Sequence, residues 1–259
     1  MRNWVIGSLS CCLLWATPPV QACSVSSTDQ RVSLLELYTS EGCSSCPPAD
    51  QWLSHLQAAG YRTDQVIPLA LHVDYWDYIG WKDRFARPEF TTRQRQAASR
   101  DLASFVYTPQ VLLNGRDFRG WQQGQRFSQA LQAYRSQAAQ VQLRLDVTPQ
   151  PSGQYRLKLD VQALDADSRK QGDVYVAVYE NGLKSKVNAG ENSGRELSHD
   201  HVVREWRGPY RLQDATGARW ESLIMLDKSW QGRDAGVAAF VQNRSSGEVL
   251  QAVATDLCG

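Results

Sequence analysis

Two cysteines separated by two serines, Cys43 and Cys46, form the motif with the clearest chemistry in this chain. They follow an apolar segment that predicts a strand and precede a stretch that predicts a helix. The first turn of a helix carries unpaired N–H groups and a partial positive charge, which stabilise a thiolate. The spacing therefore predicts a redox pair, with Cys43 as the nucleophile and Cys46 as the resolving thiol. A zinc ribbon would need a second such pair, which the sequence does not contain.

Thr108-Pro109 is the second element predicted for the site, because it lies directly before a strand expected at 110–113. Cis peptide bonds in proteins occur almost only before proline. A cis bond beside the cysteine loop would present its backbone to a substrate chain. We therefore predict a cis Thr108–Pro109 bond that contributes to substrate binding.

An aromatic and acidic segment, residues 72–83, follows the second predicted strand. It leaves the same edge of the sheet as the cysteine loop, so its side chains are expected to form a wall or lid at the site. Packing over a loop is the alternative. Accessory roles are predicted for His72, as a proton shuttle or metal ligand, and for Asp74, Tyr75 and Trp76.

A polar cluster in the C-terminal half invites a separate hypothesis. In a strand, His199 and His201 would share one face. The cluster would then bind a metal or line the cleft facing Cys43; solvated loop side chains are the alternative. Its members are Glu191, Asn192, His199, Asp200 and His201.

The N-terminus indicates export. Residues 1–22 combine Arg2, a short apolar stretch and a small residue at the end, which is typical of a cleaved secretory signal peptide. The apolar stretch is too short to span a membrane, and no later segment is long enough, so no transmembrane segment is expected after cleavage. A periplasmic or secreted location follows. Cys23 is predicted either to form a structural disulfide with Cys258 or to carry a lipid anchor, because the preceding residues also resemble a lipobox.

The balance of charged residues limits the classes of partner that are expected. The chain has 28 basic and 27 acidic residues, a formal net charge of +1. Such a balance implies no basic face, so nucleic acid is not an expected partner. The expected partners are a protein or a small thiol or disulfide substrate and a redox partner that the sequence does not identify. No cofactor and no bound metal are predicted.

The pattern of predicted secondary structure changes near residue 140. Before it, strands and helices alternate around the cysteine loop and an Asn114-Gly115 hairpin turn. Beyond it, short alternating strands separated by turn residues prevail. The sequence predicts an α/β thioredoxin-like domain followed by an all-β sandwich-like domain. The predicted parts are a signal peptide at 1–22, the first domain at 23–140 and the second at 141–259.

Several long segments resemble one bacterial family, catalogued as domain of unknown function 1223. The segments are LELYTSEGCSSCPPAD (35–50), LALHVDYWDYIGWKDRFARPEFTTRQRQ (69–96), VYTPQVLLNG (106–115) and GENSGRELSHDHVVREW (190–206). The resemblance implies an exported protein with a thioredoxin-like domain and a redox-type site, and it names no substrate. Its motifs carry over to Cys43, Cys46, Thr108, Pro109 and the segment 72–77. The chain departs from thioredoxin by placing Gly42, not tryptophan, before the first cysteine.

Three functions are compatible with these observations. The first is an exported thiol–disulfide oxidoreductase that acts through Cys43 and Cys46. The second is a metal-handling protein that uses both cysteines and His72, a donor set suited to Cu(I). The third is a binding module in which the cysteines form a fixed disulfide. A shared fold does not discriminate between them.

Overall fold

The computed structural model describes residues 22–214, 219–227, 230 and 234–258. The predicted signal peptide at 1–22 therefore lies outside the described residues, apart from Ala22. The described residues form fourteen strands and four α-helices. The strands are β1 (Cys23–Ser26), β2 (Ser33–Thr39), β3 (Val66–His72), β4 (Gln110–Leu113), β5 (Arg116–Asp117), β6 (Val141–Gln150), β7 (Gln154–Ala163), β8 (Gly172–Glu180), β9 (Leu183–Lys186), β10 (Glu196–His199), β11 (Val202–Arg211), β12 (Arg219–Met225), β13 (Ala235–Asn243) and β14 (Val249–Asp256). The helices are α1 (Pro47–Ser54), α2 (Pro88–Arg100), α3 (Gly124–Arg135) and α4 (Ala166–Gln171), and three short 3₁₀ turns lie at Asp77–Ile79, Pro151–Gly153 and Leu212–Asp214.

Strand β2 is buried on both faces, which explains its continuous apolar sequence. Leu34 and Tyr38 point into a core that also contains residues of α2. Leu35 and Leu37 point to the opposite side, into a core that contains residues of α1 and α3. Because successive side chains of a strand alternate between faces, β2 needs apolar residues at nearly every position.

Eight strands form one mixed sheet in the order β14-β13-β8-β11-β3-β2-β4-β5. A second sheet has the order β1-β6-β7-β12, and β9 and β10 form a hairpin. The eight-stranded sheet is continuous across the predicted domain boundary because β11 runs parallel to β3, with Val202 opposite Ala70. At this junction the Ala70 amide donates to the carbonyl oxygen of His201 at 2.8 Å.

The predicted fold class is therefore wrong. The chain is mostly β, with 43% strand and 21% helix, and large mixed sheets replace the thioredoxin α/β layout. The physical reason is the pairing of β3 with β11, which joins strands of the expected α/β domain to β8, β13 and β14 of the expected sandwich. The start of β6 at Val141 coincides with the predicted boundary, and the division into parts at 140/141 stays a prediction.

Three apolar cores hold the layers together. In the first, Leu145 of the four-stranded sheet packs against the face of β8 and β13 that includes Val176. In the second, Phe90 of α2 shares a core with Phe240 on the opposite face of those strands. In the third, α1 and α3 cover the other half of the large sheet, with Leu53 fully buried. The cysteine loop therefore rests between rigid, buried elements.

A disulfide joins Cys23 in β1 to Cys258 beyond β14, with the two Cα atoms 5.8 Å apart. It links residues 235 positions apart in sequence. Strand β1 also pairs with β6, so both ends of the described chain are fixed on the four-stranded side. Among the described residues no helix is long and apolar enough to cross a membrane.

Candidate functional site

The cysteine loop connects the end of β2 to the start of α1. Cys43 and Cys46 form a disulfide with their Cα atoms 5.5 Å apart, directly before the first residue of the helix. Both side chains are fully buried, whereas Ser44 and Ser45 are exposed. The Ser45 hydroxyl lies 3.3 Å from the Cys43 sulfur. The exposed part of the loop is thus the Ser-Ser backbone that covers the sulfur atoms.

The Thr108–Pro109 segment lies beside this loop, and its peptide bond is cis. The Ser45 hydroxyl donates to the Thr108 carbonyl oxygen across 3.5 Å. The indole N–H of Trp76 donates to the Thr108 hydroxyl at 2.8 Å. The structure therefore brings together three segments that the sequence analysis assigned to one site.

The aromatic segment packs under the cysteine loop at Gly42. A Cβ atom on Gly42 would lie 3.1 Å from the Cβ of Trp76 and 3.3 Å from Ile79 Cδ1. This close approach explains why glycine precedes the first cysteine, since a tryptophan side chain would have no room. Tyr75 is half-buried, and Asp74 is bonded to the Thr91 hydroxyl of α2. Trp76 is thus the predicted accessory residue that bonds directly to the site segments.

A loop from the C-terminal half, residues 190–194 between β9 and β10, holds the cysteine loop from the other side. The fully buried Asn192 amide donates to the carbonyl oxygens of Glu41 and Cys43, each at 2.9 Å. The Glu191 carboxylate accepts from the Ser44 amide at 2.9 Å and from the Ser44 hydroxyl at 2.6 Å. Residues far apart in sequence therefore hold the loop at Glu41, Cys43 and Ser44.

A buried cluster of two histidines and three carboxylates lies behind the loop. His72 Nδ1 donates to Asp83 Oδ2 at 2.6 Å, with both side chains fully buried. His199 Nε2 lies 3.6 Å from Glu41 Oε1, and its Nδ1 lies 4.0 Å from Asp50 Oδ2. The two imidazole centroids are 5.0 Å apart. The cluster spans both halves of the chain, because His199 belongs to β10.

Burial and the neighbouring charges shift the pKa values of this cluster in opposite directions. Burial alone would lower the pKa of His72, but the Asp83 carboxylate raises it above its ordinary value. Burial favours the neutral form of Asp83, yet the charge of His72 holds the pKa of Asp83 below its ordinary value. Burial raises the pKa of Asp50 above its ordinary value, although His199 acts in the opposite direction. The His72–Asp83 contact therefore favours the charged form of each group, as an ion pair.

This ion pair predicts a pH dependence of folding. Because the folded-state pKa of His72 is raised, its contribution to stability is complete below about pH 6.5 and is lost as the pH rises through the folded value. The free energy of unfolding of the wild type should therefore decline above about pH 6.5. His72→Gln should lack this part of the decline, as measured by denaturant titration over a pH series.

The control for this measurement is His55→Gln, because His55 is exposed at the end of α1. It should keep the wild-type slope. The raised pKa of Asp50 adds a separate decline that begins near its unfolded value of about pH 4, so the comparison is made between variants that share Asp50. An unchanged slope in His72→Gln would assign the titration to another group.

The C-terminal polar cluster does not assemble as one face. Strand β10 ends at His199 and β11 begins at Val202, so His199 and His201 do not lie in one strand. The His201 ring is tilted against that of Tyr179, with the centroids 5.5 Å apart, and burial lowers the pKa of His201 to about 4. Asp200 accepts from the Gly182 amide in the turn. Only His199 reaches the buried cluster, while Glu191 and Asn192 reach the cysteine loop.

Sequence reasoning missed Glu41, Asp50 and Asp83. A signal was present for two of them, because Glu41 and Asp50 are charged residues that flank the cysteine pair within four residues on the strand side and on the helix side. Asp50 also follows Cys46 by four residues, which places both side chains on one face of α1. Asp83 gave no comparable signal, because it is the last residue of the segment at 72–83 and nothing set it apart from the other acids of that segment.

The described residues give the cysteine pair no metal site. Within the described ranges, no group of three or more histidine, cysteine, aspartate or glutamate side chains is arranged to hold a metal ion. A cavity of about 790 Å³ lies on the four-stranded sheet near Arg144 and Arg219, and none of the predicted site residues lines it.

Comparisons with known proteins agree with the family resemblance that the sequence segments indicated. Residues 34–242 match the model of the family described as protein of unknown function DUF1223. A crystal structure of an Agrobacterium tumefaciens protein is similar, at 27% identity and a TM-score of 0.61 over 90% of this chain and 96% of that one. HBP35 of Porphyromonas gingivalis shares the fold, at 15% identity and a TM-score of 0.63 over 89% of this chain and 76% of that one. No curated protein matches the chain.

Proposed function

We propose, from the premise that the chain belongs to the family described as protein of unknown function DUF1223, that it is an exported thiol–disulfide oxidoreductase acting through Cys43 and Cys46. The observation that carries the proposal is the disulfide between these residues at the first turn of α1. The partial positive charge at the first turn of the helix favours a thiolate on Cys43 once the bond is reduced.

The reaction proceeds by two exchanges. A thiolate of the substrate attacks the Cys43 sulfur, a mixed disulfide forms, and Cys46 leaves as a thiolate. A second substrate thiolate then attacks the substrate sulfur of the mixed disulfide and releases Cys43. The substrate gains a disulfide, and the protein gains the two electrons. In the reverse direction Cys46 attacks Cys43 and releases the reduced substrate.

Asp50 supports this assignment from the interior. It lies one helical turn after Cys46, with its amide bonded to the Cys46 carbonyl oxygen at 3.1 Å. The carboxyl accepts from the Thr39 hydroxyl at 3.1 Å and is buried. Burial raises the pKa of Asp50, so it is a group that can exchange a proton with the equally buried Cys46.

The complete burial of Cys43 means that a substrate must displace part of its cover. The cover consists of the exposed Ser44-Ser45 backbone and the contacts of Ser44 with Glu191. Next to Thr108 lies an apolar rim that includes Phe105, 64% exposed, and Leu102, 93% exposed. Such a rim suits a protein substrate more than a fully hydrated small molecule.

The location proposed for the protein is the periplasm or the exterior of the cell. Two disulfides support this, because such bonds persist in oxidising compartments and are rare in the cytosol. The pairing of Cys23 with Cys258 favours the structural disulfide over a lipid anchor at Cys23.

A redox titration tests the proposal. We expect the Cys43–Cys46 bond of the mature protein to interconvert in thiol–disulfide buffers at a potential between roughly −120 and −270 mV, the range of known catalysts. Alkylation followed by intact mass measurement counts the free thiols, and peptide mapping assigns them. The Cys23–Cys258 bond in the same sample is the internal control and should resist reduction.

The same titration distinguishes the other two functions. A Cys43–Cys46 bond that stays oxidised below about −300 mV would behave as a structural disulfide and would favour a binding module. A metal-handling role requires the reduced protein to bind copper with both thiols and His72. His72 bonds to Asp83 through Nδ1, and no observation among the described residues brings its imidazole together with both sulfur atoms, so none favours that function.

A further inference from the structure

The Glu191 carboxylate occupies the place where a negatively charged group would meet the cysteine loop. Its Oε2 atom accepts from both the amide and the hydroxyl of Ser44, the residue that follows Cys43. An amide and a hydroxyl that converge on one oxygen form a favourable site for an anion. These bonds also lower the pKa of Glu191, so the group is charged at neutral pH.

The position of this charge is fixed by its neighbours. Asn192 anchors the loop through two bonds to the carbonyl oxygens of the cysteine loop. Gly190 packs against the aromatic segment, where an added Cβ would lie 3.0 Å from Ile79 Cδ1. Arg195, which directly follows this loop, donates to Asn192 Oδ1 at 3.2 Å, so its guanidinium group is bonded to Asn192. The loop backbone therefore places the exposed Glu191 side chain against Ser44.

We infer that Glu191 selects the substrate of the cysteine pair by charge, favouring thiols and disulfides that carry a positive group beside the reacting sulfur and disfavouring anionic ones. The inference rests on the proposed function. An attacking thiolate brings a negative charge toward Cys43, and the fixed carboxylate repels it. A neighbouring ammonium or guanidinium group on the substrate offsets that repulsion and bonds the carboxylate as Ser44 is displaced.

The reaction that reveals this selection is the reduction of the disulfide by a small thiol. The thiolate forms a bond with the Cys43 sulfur, the Cys43–Cys46 bond breaks, and its electron pair goes to Cys46. A second thiolate attacks the small-molecule sulfur of the mixed disulfide, releases Cys43 as a thiolate and leaves a small-molecule disulfide. Two thiols are oxidised and one protein disulfide is reduced.

The experiment compares three probes, mercaptoethylamine with a positive charge, mercaptoethanol without charge, and mercaptopropionate with a negative charge. Rates of appearance of free thiols at Cys43 and Cys46 are divided by the thiolate concentration of each probe. The quantity compared is the ratio of the rates of the two charged probes in each variant. Intrinsic probe reactivities cancel in that comparison.

Glu191→Gln is the test variant, because the amide oxygen of glutamine can accept both bonds from Ser44 while the charge is removed. Glu196→Gln is the matched control, since Glu196 is an exposed glutamate of the same hairpin that faces Lys184 at 3.8 Å. At low salt we expect Glu191→Gln to lower the cation-to-anion rate ratio by about threefold to tenfold. Glu196→Gln should keep the wild-type ratio, and ~1 M salt should remove most of the difference.

The outcomes separate the inference from the function on which it rests. If all three probes reduce the bond and the ratio is the same in the wild type and Glu191→Gln, the inference is overturned and the oxidoreductase function stands. If none of the probes reduces the bond in any variant, both are overturned. A ratio that falls equally in both glutamine variants would also overturn the inference, because it would reflect the net charge of the protein alone.

Discussion

Cys43→Ser is expected to abolish thiol–disulfide exchange, lowering the rate by about a thousandfold or more, because it removes the sulfur to which the mixed disulfide is assigned. Cys46→Ser should behave differently. It retains the nucleophile and lacks the resolving thiol, so it should accumulate a covalent complex with its substrate. Both variants are measured in reduced form against a peptide disulfide: the Cys43 thiolate attacks it, one peptide thiolate leaves, and mass spectrometry detects the mixed disulfide that stays when Cys46 is absent.

The asymmetry between the two variants is the decisive feature. The double variant Cys23→Ser and Cys258→Ser serves as the control, assayed at low temperature because loss of this long-range disulfide lowers stability. It should exchange at the wild-type rate. Equal loss of activity in Cys43→Ser and Cys46→Ser without any trapped complex would contradict the assigned roles.

Arg93→Ala is expected to destabilise the fold by about 3–5 kcal/mol, because it leaves a buried carboxylate without its partner. The Arg93 guanidinium lies 2.5 Å from Glu36 Oε1, with 9% and 1% of the respective side chains exposed. Glu36 belongs to β2, two strands away from the C-terminal half in the large sheet. Denaturant unfolding would measure the loss directly.

The guanidinium is also enclosed by aromatic rings of the C-terminal half. Its central carbon lies 5.0 Å from the ring centroid of Tyr175, 4.7 Å from that of Trp206 and 5.4 Å from that of Phe240. Such cation–π contacts add to the cost of truncation. Arg93 therefore ties α2 and β2 to strands β8, β11 and β13 in one buried contact.

Arg95→Ala is the matched control, because Arg95 is exposed on the same helix two residues later. It should change the free energy of unfolding by less than about 0.5 kcal/mol. Adding Glu36→Leu to Arg93→Met should recover stability relative to Arg93→Ala, since an apolar pair leaves no unpaired charge. A small effect of Arg93→Ala would show that the Glu36 carboxylate is solvated or protonated.

Local structure was readable from the sequence. The strands expected at 66–73, 155–161 and 174–179 form as β3, β7 and β8, because the spacing of apolar residues reports which faces are buried. Asn114-Gly115 forms the turn between β4 and β5, with φ values of 53° and 83° that these residue types tolerate. The conformation of the cysteine loop was also predictable from the sequence. A strand, a short loop and prolines in the first helical turn restrict the backbone conformations that are open to it.

The assembly of these elements was not readable in the same way. The pattern of apolar residues shows that a strand is buried but not which strand lies beside it. The pairing of β3 with β11 depends on residues some 130 positions apart and merges two expected domains into one sheet. An apolar strand can pair with strands of either sheet. The sequence alone therefore favoured two separate domains, and the predicted fold class was wrong.

The sequence by itself determined the reactive pair, Cys43 and Cys46, because their chemistry follows from residue type and a spacing within one loop. Only the tertiary structure decided what surrounds the pair. Glu191, Asn192 and His199 reach the loop and its buried cluster from the C-terminal half, since the β9–β10 hairpin packs over α1. The charge, hydrogen bonding and burial of a site depend on residues that are distant in sequence and close in space. Which residues come together depends on strand pairing, and local sequence patterns do not encode that pairing.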